Sequence, residues 1–145
     1  MPDQMVQAAR SGKQNIAEGC MASGTSKKTE LKLIGVARAS LEELLLDFQD
    51  YLRQKGLTLW KKDHSRAKEV RSLCYRENRS YSTYKAYLES PPEIAANAMV
   101  CLIHQTNYLL DQQLRKLEKA FLEEGGFTER LYHARTEARN RRKET

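Results

Sequence analysis

The sequence has few of the residues that interrupt helices, since it contains only three prolines and seven glycines. Long helices are therefore favoured over many short strands. No apolar run approaches the roughly 20 residues that cross a bilayer, and the N-terminal MPDQMVQAAR lacks the basic and apolar segments of a secretory signal. These absences predict a helical domain in the cytoplasm, in a chain long enough to bury one core.

Cysteine and histidine are also scarce. The three cysteines, Cys20, Cys74 and Cys101, are far apart and form no CxxC pair, which argues against a disulfide framework or a zinc ribbon. We expect reduced, packed thiols. None of the three histidines follows a glutamate by three residues, so the Glu-x-x-His pairs of a di-iron bundle are not present. The sequence predicts no metal and no cofactor.

Apolar residues recur at helical spacing through most of the chain. A first helix is predicted over about 2–18, with Gly19 in the position that caps a helix C-terminus. A second helix is predicted to begin after a cap formed by Thr25 or Ser26 and to end at Gly56. Its predicted core-facing positions are Ile34, Ala37, Leu41, Leu44, Phe48 and Tyr51.

The second half of the chain contains further helical segments. The tetrapeptide at 90–93 is typical of a helix start, with Ser90 as the N-cap, Pro91 as the first helical residue and Glu93 as the returning acid of a capping box. The other predicted segments are a third helix over 64–78, an irregular stretch or short helix over 78–90, a fourth helix that ends at Glu124, and a short helix from Thr128.

Positive charge is unevenly distributed, although the net charge is only +6. Residues 61–85 carry eight Lys or Arg and three Asp or Glu, and residues 130–145 carry six and two. Residues 86–129, in contrast, carry three and seven. Clustered positive charge attracts phosphate backbones or acidic protein surfaces. It is equally typical of solvated helix faces and a soluble tail.

The stretch QAARSGKQNIAEG, at 7–19, contains the SGK that also ends a phosphate-binding loop. That loop needs glycine at the position of Gln7 and a hydroxyl residue at the position of Gln14. Because neither is present, the stretch is predicted to be helical, with Gly12 where a neighbouring helix approaches. The sequence also has no glycine-rich turn to expose a nucleophile, which indicates that the protein is not an enzyme.

Several segments resemble a known family. NIAEG at 15–19, with Ser26 and Glu30 after it, and ARASLEELLLDFQDYL at 37–52 are similar to four-helix-bundle proteins encoded in intervening sequences of bacterial 23S rRNA genes. That family is related to the accessory variability protein of diversity-generating retroelements. CLIHQTNYLLDQQL and the later EEGGFTERLYHAR resemble the C-terminal extension of a subgroup of these proteins.

The resemblance implies an up-down four-helix bundle that assembles as a ring-shaped homopentamer. For the retroelement relatives it implies a basic surface that engages RNA or DNA and a reverse transcriptase. Asn15, Glu18 and Gly19 match the family motif, and the first two are expected to tie the end of helix one to the next helix. Family members have more helix before DQMVQAARS, which predicts either a shortened start or a partner that covers the gap.

We therefore expect an all-α protein, with an antiparallel up-down four-helix bundle over 1–126 and a short basic C-terminal helical extension over 127–145. The predicted function is non-enzymatic binding of RNA or DNA by a homo-oligomeric accessory protein. The alternative is a scaffold that docks a partner protein without binding nucleic acid. The predicted phosphate contacts are Arg10, Lys13, Arg66, Lys68, Arg71, Arg76, Arg79, Arg135, Arg139, Arg141 and Arg142.

Overall fold

The computed structural model describes residues 2–22, 24, 26–124 and 127–144, and this part of the chain is helical without any strand. The prediction of an all-α protein is confirmed. None of the described helices is both long and apolar enough to cross a membrane. The helices are α1 (Pro2–Ala22), α2 (Lys27–Gln54), α3 (Ser65–Ser72), α4 (Tyr81–Leu88), α5 (Pro92–Glu124) and α6 (Phe127–Glu144), with a 3-10 turn at Leu73–Tyr75.

Helix α1 does not end where the sequence predicted. The helix continues through Gly19 to Ala22, so Gly19 is not its C-cap. Gly19 is buried, and a Cβ atom at this position would lie 2.9 Å from Cδ1 of Ile34. The absence of a side chain therefore lets Ile34 of α2 approach the backbone of α1. Gly12 is also buried within α1, as expected for a point of close approach.

Helix α2 has the predicted cap and the predicted end. Ser26 Oγ accepts a hydrogen bond of 3.2 Å from the amide of Thr29, which satisfies one free donor of the first turn. Thr25, the other predicted cap, lies outside the described residues. Gly56 follows the helix with a φ of 64°, a left-handed conformation that glycine adopts without strain. Ile34, Ala37, Leu44 and Leu52 are buried along its length.

The predicted third helix is shorter than expected. It begins after His64, whose Nδ1 accepts a hydrogen bond of 3.1 Å from the amide of Arg66, and it ends at Ser72. The helix does not continue to residue 78 as predicted. The 3-10 turn follows it, and the next helix along the chain is α4. Helix α4 confirms the short helix over 78–90, and Thr83 Oγ1 accepts from the amide of Ser80 at its start.

Helix α5 ends at Glu124 as predicted, but its start differs from a capping box. Its first residue is Pro92, and the carbonyl of Pro91 accepts from the amide of Ala95. Ser90 Oγ donates to the carbonyl of Ala86. Glu93 Oε1 accepts instead from the amide of Thr58, at 2.8 Å. The acid therefore holds the loop after α2. Gly125 and Gly126, the predicted stop, lie outside the described residues.

The chain divides into two compact units, and α1, α2 and α5 contribute residues to both. The first unit consists of Met1–Ala9 and Ser40–Leu109, and the second of Arg10–Ala39 and Leu110–Thr145. The proposed boundary at residue 126 is not tested by this division and stays a prediction.

The first unit contains two apolar clusters. One combines side chains of α1, α2 and α5, namely Ala8, Leu44, Leu45, Val100 and Ile103. The other combines α3 and α5, with Ala67, Val70, Ala98 and Cys101, and Trp60 and Tyr87 pack against it.

Two cysteines are packed and one is not. Cys101 is buried, Cys74 is half-buried and Cys20 is exposed, and all three are free thiols. The prediction of packed thiols is therefore wrong for Cys20. Burial raises the pKa of the Cys101 thiol, while the nearby Arg71 partly opposes the change.

Candidate nucleic-acid interface

The predicted phosphate contacts lie in both units. Arg10 and Lys13 are exposed on the part of α1 that belongs to the second unit. Arg66, Lys68, Arg71, Arg76 and Arg79 belong to the first unit, and Arg135, Arg139, Arg141 and Arg142 lie on α6 in the second.

Arg71 differs from its basic neighbours because its side chain has a structural partner. Its guanidinium donates to the carbonyl of Lys62 in the loop before α3, and the residue is half-buried. Its own carbonyl accepts from Gln105 Nε2 at 3.0 Å. Arg71 thus connects the loop, α3 and α5 within the first unit. A phosphate would have to compete with the Lys62 carbonyl for this guanidinium.

Arg66 and Arg76 are brought together at a cavity of about 410 Å³ in the first unit. Its lining residues come from α3 and the segment that follows it, from α4, and from the start of α5. The polar lining residues are Arg66, Glu69, Arg76, Thr83, Tyr87 and Ser90. The apolar lining residues are Leu73, Ala86 and Ile94. Periodicity indicated the individual helices, but not that these segments line a common space.

Glu69 and Tyr87 are hydrogen-bonded across this cavity. The hydroxyl of Tyr87 donates to Glu69 Oε1 at 2.5 Å. Burial, the hydrogen bond and the charge of Glu69 raise the pKa of Tyr87 to about 12, while Arg76 and Arg66 oppose the change. Tyr87 therefore remains a protonated donor at neutral pH.

Tyr87 should ionise at a higher pH than a tyrosine with the ordinary pKa of 10.0. Because its pKa is raised above 10.0, its contribution to the free energy of unfolding is complete below pH 10 and is lost between pH 10 and about 12. The difference in phenolate absorbance between the wild type and Tyr87→Phe gives this titration directly. A single difference wave centred at pH 10 would contradict the expected contact with Glu69.

Helix α6 carries a row of exposed side chains with one aromatic member. Tyr132, Arg135, Arg139 and Arg142 are spaced by three, four and three residues, so they share one face of the helix. All four are exposed, with Tyr132 at 67%. Arg141 lies on another face, where it forms an ion pair with Glu137 at 3.7 Å. We call the first four residues the α6 basic face.

The motif residues Asn15, Glu18 and Gly19 have different environments. Asn15 Nδ2 donates to the carbonyl of Ser11 at 2.8 Å, a contact within α1. Glu18 is exposed, and Gly19 packs against Ile34. The approach of α1 to α2 thus depends on Gly19. The expected role of Asn15 and Glu18 in tying these helices together stays a prediction.

The polar residues of α5 bond mainly within the chain. Gln105 reaches the carbonyl of Arg71, and Asp111 forms an ion pair of 2.8 Å with Arg38 in the second unit. Asn107 is buried, yet its Oδ1 has no hydrogen-bond partner among the residues that the structure describes, and its Nδ2 is 3.5 Å from Glu42. His104 is exposed.

Asn97 makes a set of contacts that the sequence pattern did not indicate. It is 1% exposed, and its Oδ1 accepts from the amide of Trp60 at 2.8 Å. Its Nδ2 donates to the carbonyls of Thr58 and Glu93, at 2.8 and 2.7 Å. The side chain therefore fixes the loop after α2 against α5. A polar residue inside an apolar stripe was the available signal, but its partners are distant in sequence.

Neither a metal site nor a family is identified. Among the residues that the structure describes, no three His, Cys, Asp or Glu side chains form a group that would hold a metal ion. Comparisons with protein-family models, curated proteins and solved structures found no match for this chain. The resemblance at 15–19 and 37–52 therefore stays a prediction, as does the absence of catalysis.

Proposed function

We propose that the protein binds RNA or DNA without catalysing a reaction on it. The observation that supports this proposal best is the α6 basic face, where Arg135, Arg139 and Arg142 are exposed beside Tyr132. Among the described residues, neither Arg135 nor Arg139 has a carboxylate partner. Exposed arginines on one helical face are suited to a row of phosphates.

The same face combines two kinds of contact. Guanidinium groups donate charge-assisted hydrogen bonds to phosphate oxygens and release counterions from the strand. An exposed tyrosine ring offers a surface on which an unpaired base stacks, whatever its identity. Binding through these groups depends strongly on salt and weakly on sequence. Single strands and unpaired regions would be preferred over duplexes because only they expose base faces.

Salt dependence tests this function. If about four phosphates are neutralised, affinity for a single strand should fall about 50-fold between 50 and 200 mM salt. Fluorescence anisotropy of labelled RNA and DNA strands of unrelated sequence gives the slope. The absence of binding to any strand at 50 mM salt would overturn the proposal.

The assembly and fold details of the proposal come from the resemblance. We propose an antiparallel four-helix bundle built from α1, α2, α3 and α5, and a cytoplasmic homopentamer that assists a reverse transcriptase. The apolar cluster shared by α1, α2 and α5 supports packing of these helices in the first unit. Light scattering, with and without RNA, tests the subunit number.

A second candidate is a scaffold that docks a protein partner. It is favoured by exposed apolar side chains on α5, where Tyr108 and Leu109 are 60% and 62% exposed. Of the neighbouring residues Leu109 and Leu110, Leu110 is buried and Leu109 is not. This function predicts that a partner remains bound after nuclease treatment and that free nucleic acid is ignored.

A further inference from the structure

We propose that the cavity between α3 and α4 receives one ribonucleotide, with its phosphate at Arg66 and Arg76 and a sugar hydroxyl at Glu69. For a nucleotide within a bound strand, this inference rests on the proposed function. The chemistry of the cavity, however, is distinct from that of the α6 basic face, since it is a concave site, open to solvent, that includes a carboxylate acceptor as well as two cations.

The two arginines form the anion-binding part of the cavity. Arg66 and Arg76 both line it, and both lie close enough to lower the pKa of Tyr87. Within the described part of the chain, neither guanidinium has an ion pair. The single carboxylate of the wall, Glu69, already accepts from Tyr87. The cavity therefore has a net positive charge and two planar donors that match phosphate oxygens.

Glu69 adds a hydrogen-bond acceptor to the cavity, which a ligand would match with a hydroxyl donor. Tyr87 uses Oε1, whereas Oε2 has no hydrogen bond with any described residue. An ionised carboxylate has several acceptor sites and no donor. It therefore favours a ligand that brings a hydroxyl donor near its phosphate, as ribose does with its 2′-OH. A deoxyribose lacks that donor, so the wall should distinguish RNA from DNA.

The remaining lining suits the rest of a nucleotide. Leu73, Ala86 and Ile94 provide an apolar surface, and the Tyr87 ring stands beside them. The volume of about 410 Å³ falls within the range of small-molecule sites, roughly 300–1,000 Å³. It is more than ten times the roughly 30 Å³ of one water molecule, so a bare anion would leave most of the space to solvent.

Variants of the cavity separate this site from general electrostatic attraction. Oligo(A) RNA, oligo(dA) DNA of equal length and free 5′-AMP are titrated into the full chain. Arg66→Ala with Arg76→Ala should weaken binding of the RNA about tenfold. Lys61→Ala is the control, since Lys61 is exposed in the loop before α3 but does not line the cavity. It should change affinity less than about threefold.

Glu69→Gln tests the hydroxyl contact and keeps the shape of the side chain. We expect the ratio of RNA to DNA affinity to fall about fivefold, while DNA affinity is unchanged or higher because a negative charge has been removed. A purely structural role of Glu69 would instead weaken both strands together, and circular dichroism checks that the helices remain folded.

The outcomes distinguish this inference from the proposed function. If binding of strands depends on α6 but falls by the same factor in Lys61→Ala and Arg66→Ala, the inference alone is overturned. Binding of 5′-AMP that depends on Arg66 and Arg76, without binding of any strand, supports the cavity and overturns the proposed function. If Glu69→Gln binds RNA in preference to DNA by the same ratio as the wild type, Glu69 does not contact the sugar hydroxyl, and the inference is overturned.

Discussion

Asn97→Ala should lower the free energy of unfolding by about 2–3 kcal/mol, because it leaves several polar groups without their partner. The amide of Trp60 and the carbonyls of Thr58 and Glu93 all bond to this one side chain at 2.7–2.8 Å. Thr58 is exposed, so water can replace part of its lost hydrogen bond. Trp60 is half-buried, so its amide is less able to find a water molecule in place of Asn97. The loss would appear as a melting temperature lower by about 5–10 °C.

The single tryptophan reports on the same loop. Trp60 packs against the α3–α5 cluster and its ring stacks on His64, with centroids 5.0 Å apart. When Asn97 no longer holds the amide of Trp60, we expect the ring to become more exposed and its fluorescence emission to shift to longer wavelength before global unfolding.

Asn107→Ala is the matched control. Asn107 is also buried on α5, but within the described part of the chain its Oδ1 has no hydrogen-bond partner, and the hydrogen bond of its Nδ2 to Glu42 is long at 3.5 Å. The same truncation should therefore cost at least about 1 kcal/mol less than at Asn97. Equal losses for the two variants would mean that removed volume, rather than hydrogen bonding, determines the effect.

The helices could be predicted from the sequence because periodicity and local caps are properties of adjacent residues. The buried residues of α2, the cap at Ser26 and the end at Gly56 all follow from such patterns. The errors occur where a tertiary contact overrides a local preference. Gly19 packs against Ile34 instead of ending α1, and Glu93 binds the amide of Thr58 instead of its own helix start.

The two candidate sites differ in the same way, since one follows from local spacing and the other from tertiary packing. The α6 basic face could be predicted, because residues 135, 139 and 142 share a face whenever the segment is helical. The cavity could not, since it requires residues of α3, α4 and α5 to line a common space. Arg66 and Arg76 were selected by charge alone. No pattern of neighbouring residues separates them from Lys68, which lies outside the cavity, or from Arg71, which binds the carbonyl of Lys62.

Replacing Arg135, Arg139 and Arg142 together by alanine should weaken binding of single-stranded RNA about 100-fold at 50 mM salt and make the salt slope shallower by about two. Each arginine that leaves the α6 basic face removes a phosphate contact and the counterion release that accompanies it. Alanine favours helix formation, so α6 itself should remain folded. Anisotropy titrations at several salt concentrations give both the affinity and the slope.

Two controls show whether position matters beyond total charge. Arg141→Ala removes a side chain that is paired with Glu137 on another face of α6, and should change affinity less than about threefold. Replacing Lys28, Lys32 and Arg53, which are exposed on α2, removes three positive charges elsewhere. If this triple variant loses as much RNA affinity as the α6 variant, binding depends on net charge and the α6 basic face is not the interface. If the α2 triple variant keeps the salt slope of the wild type while the α6 triple variant has a shallower slope, the phosphates lie along α6.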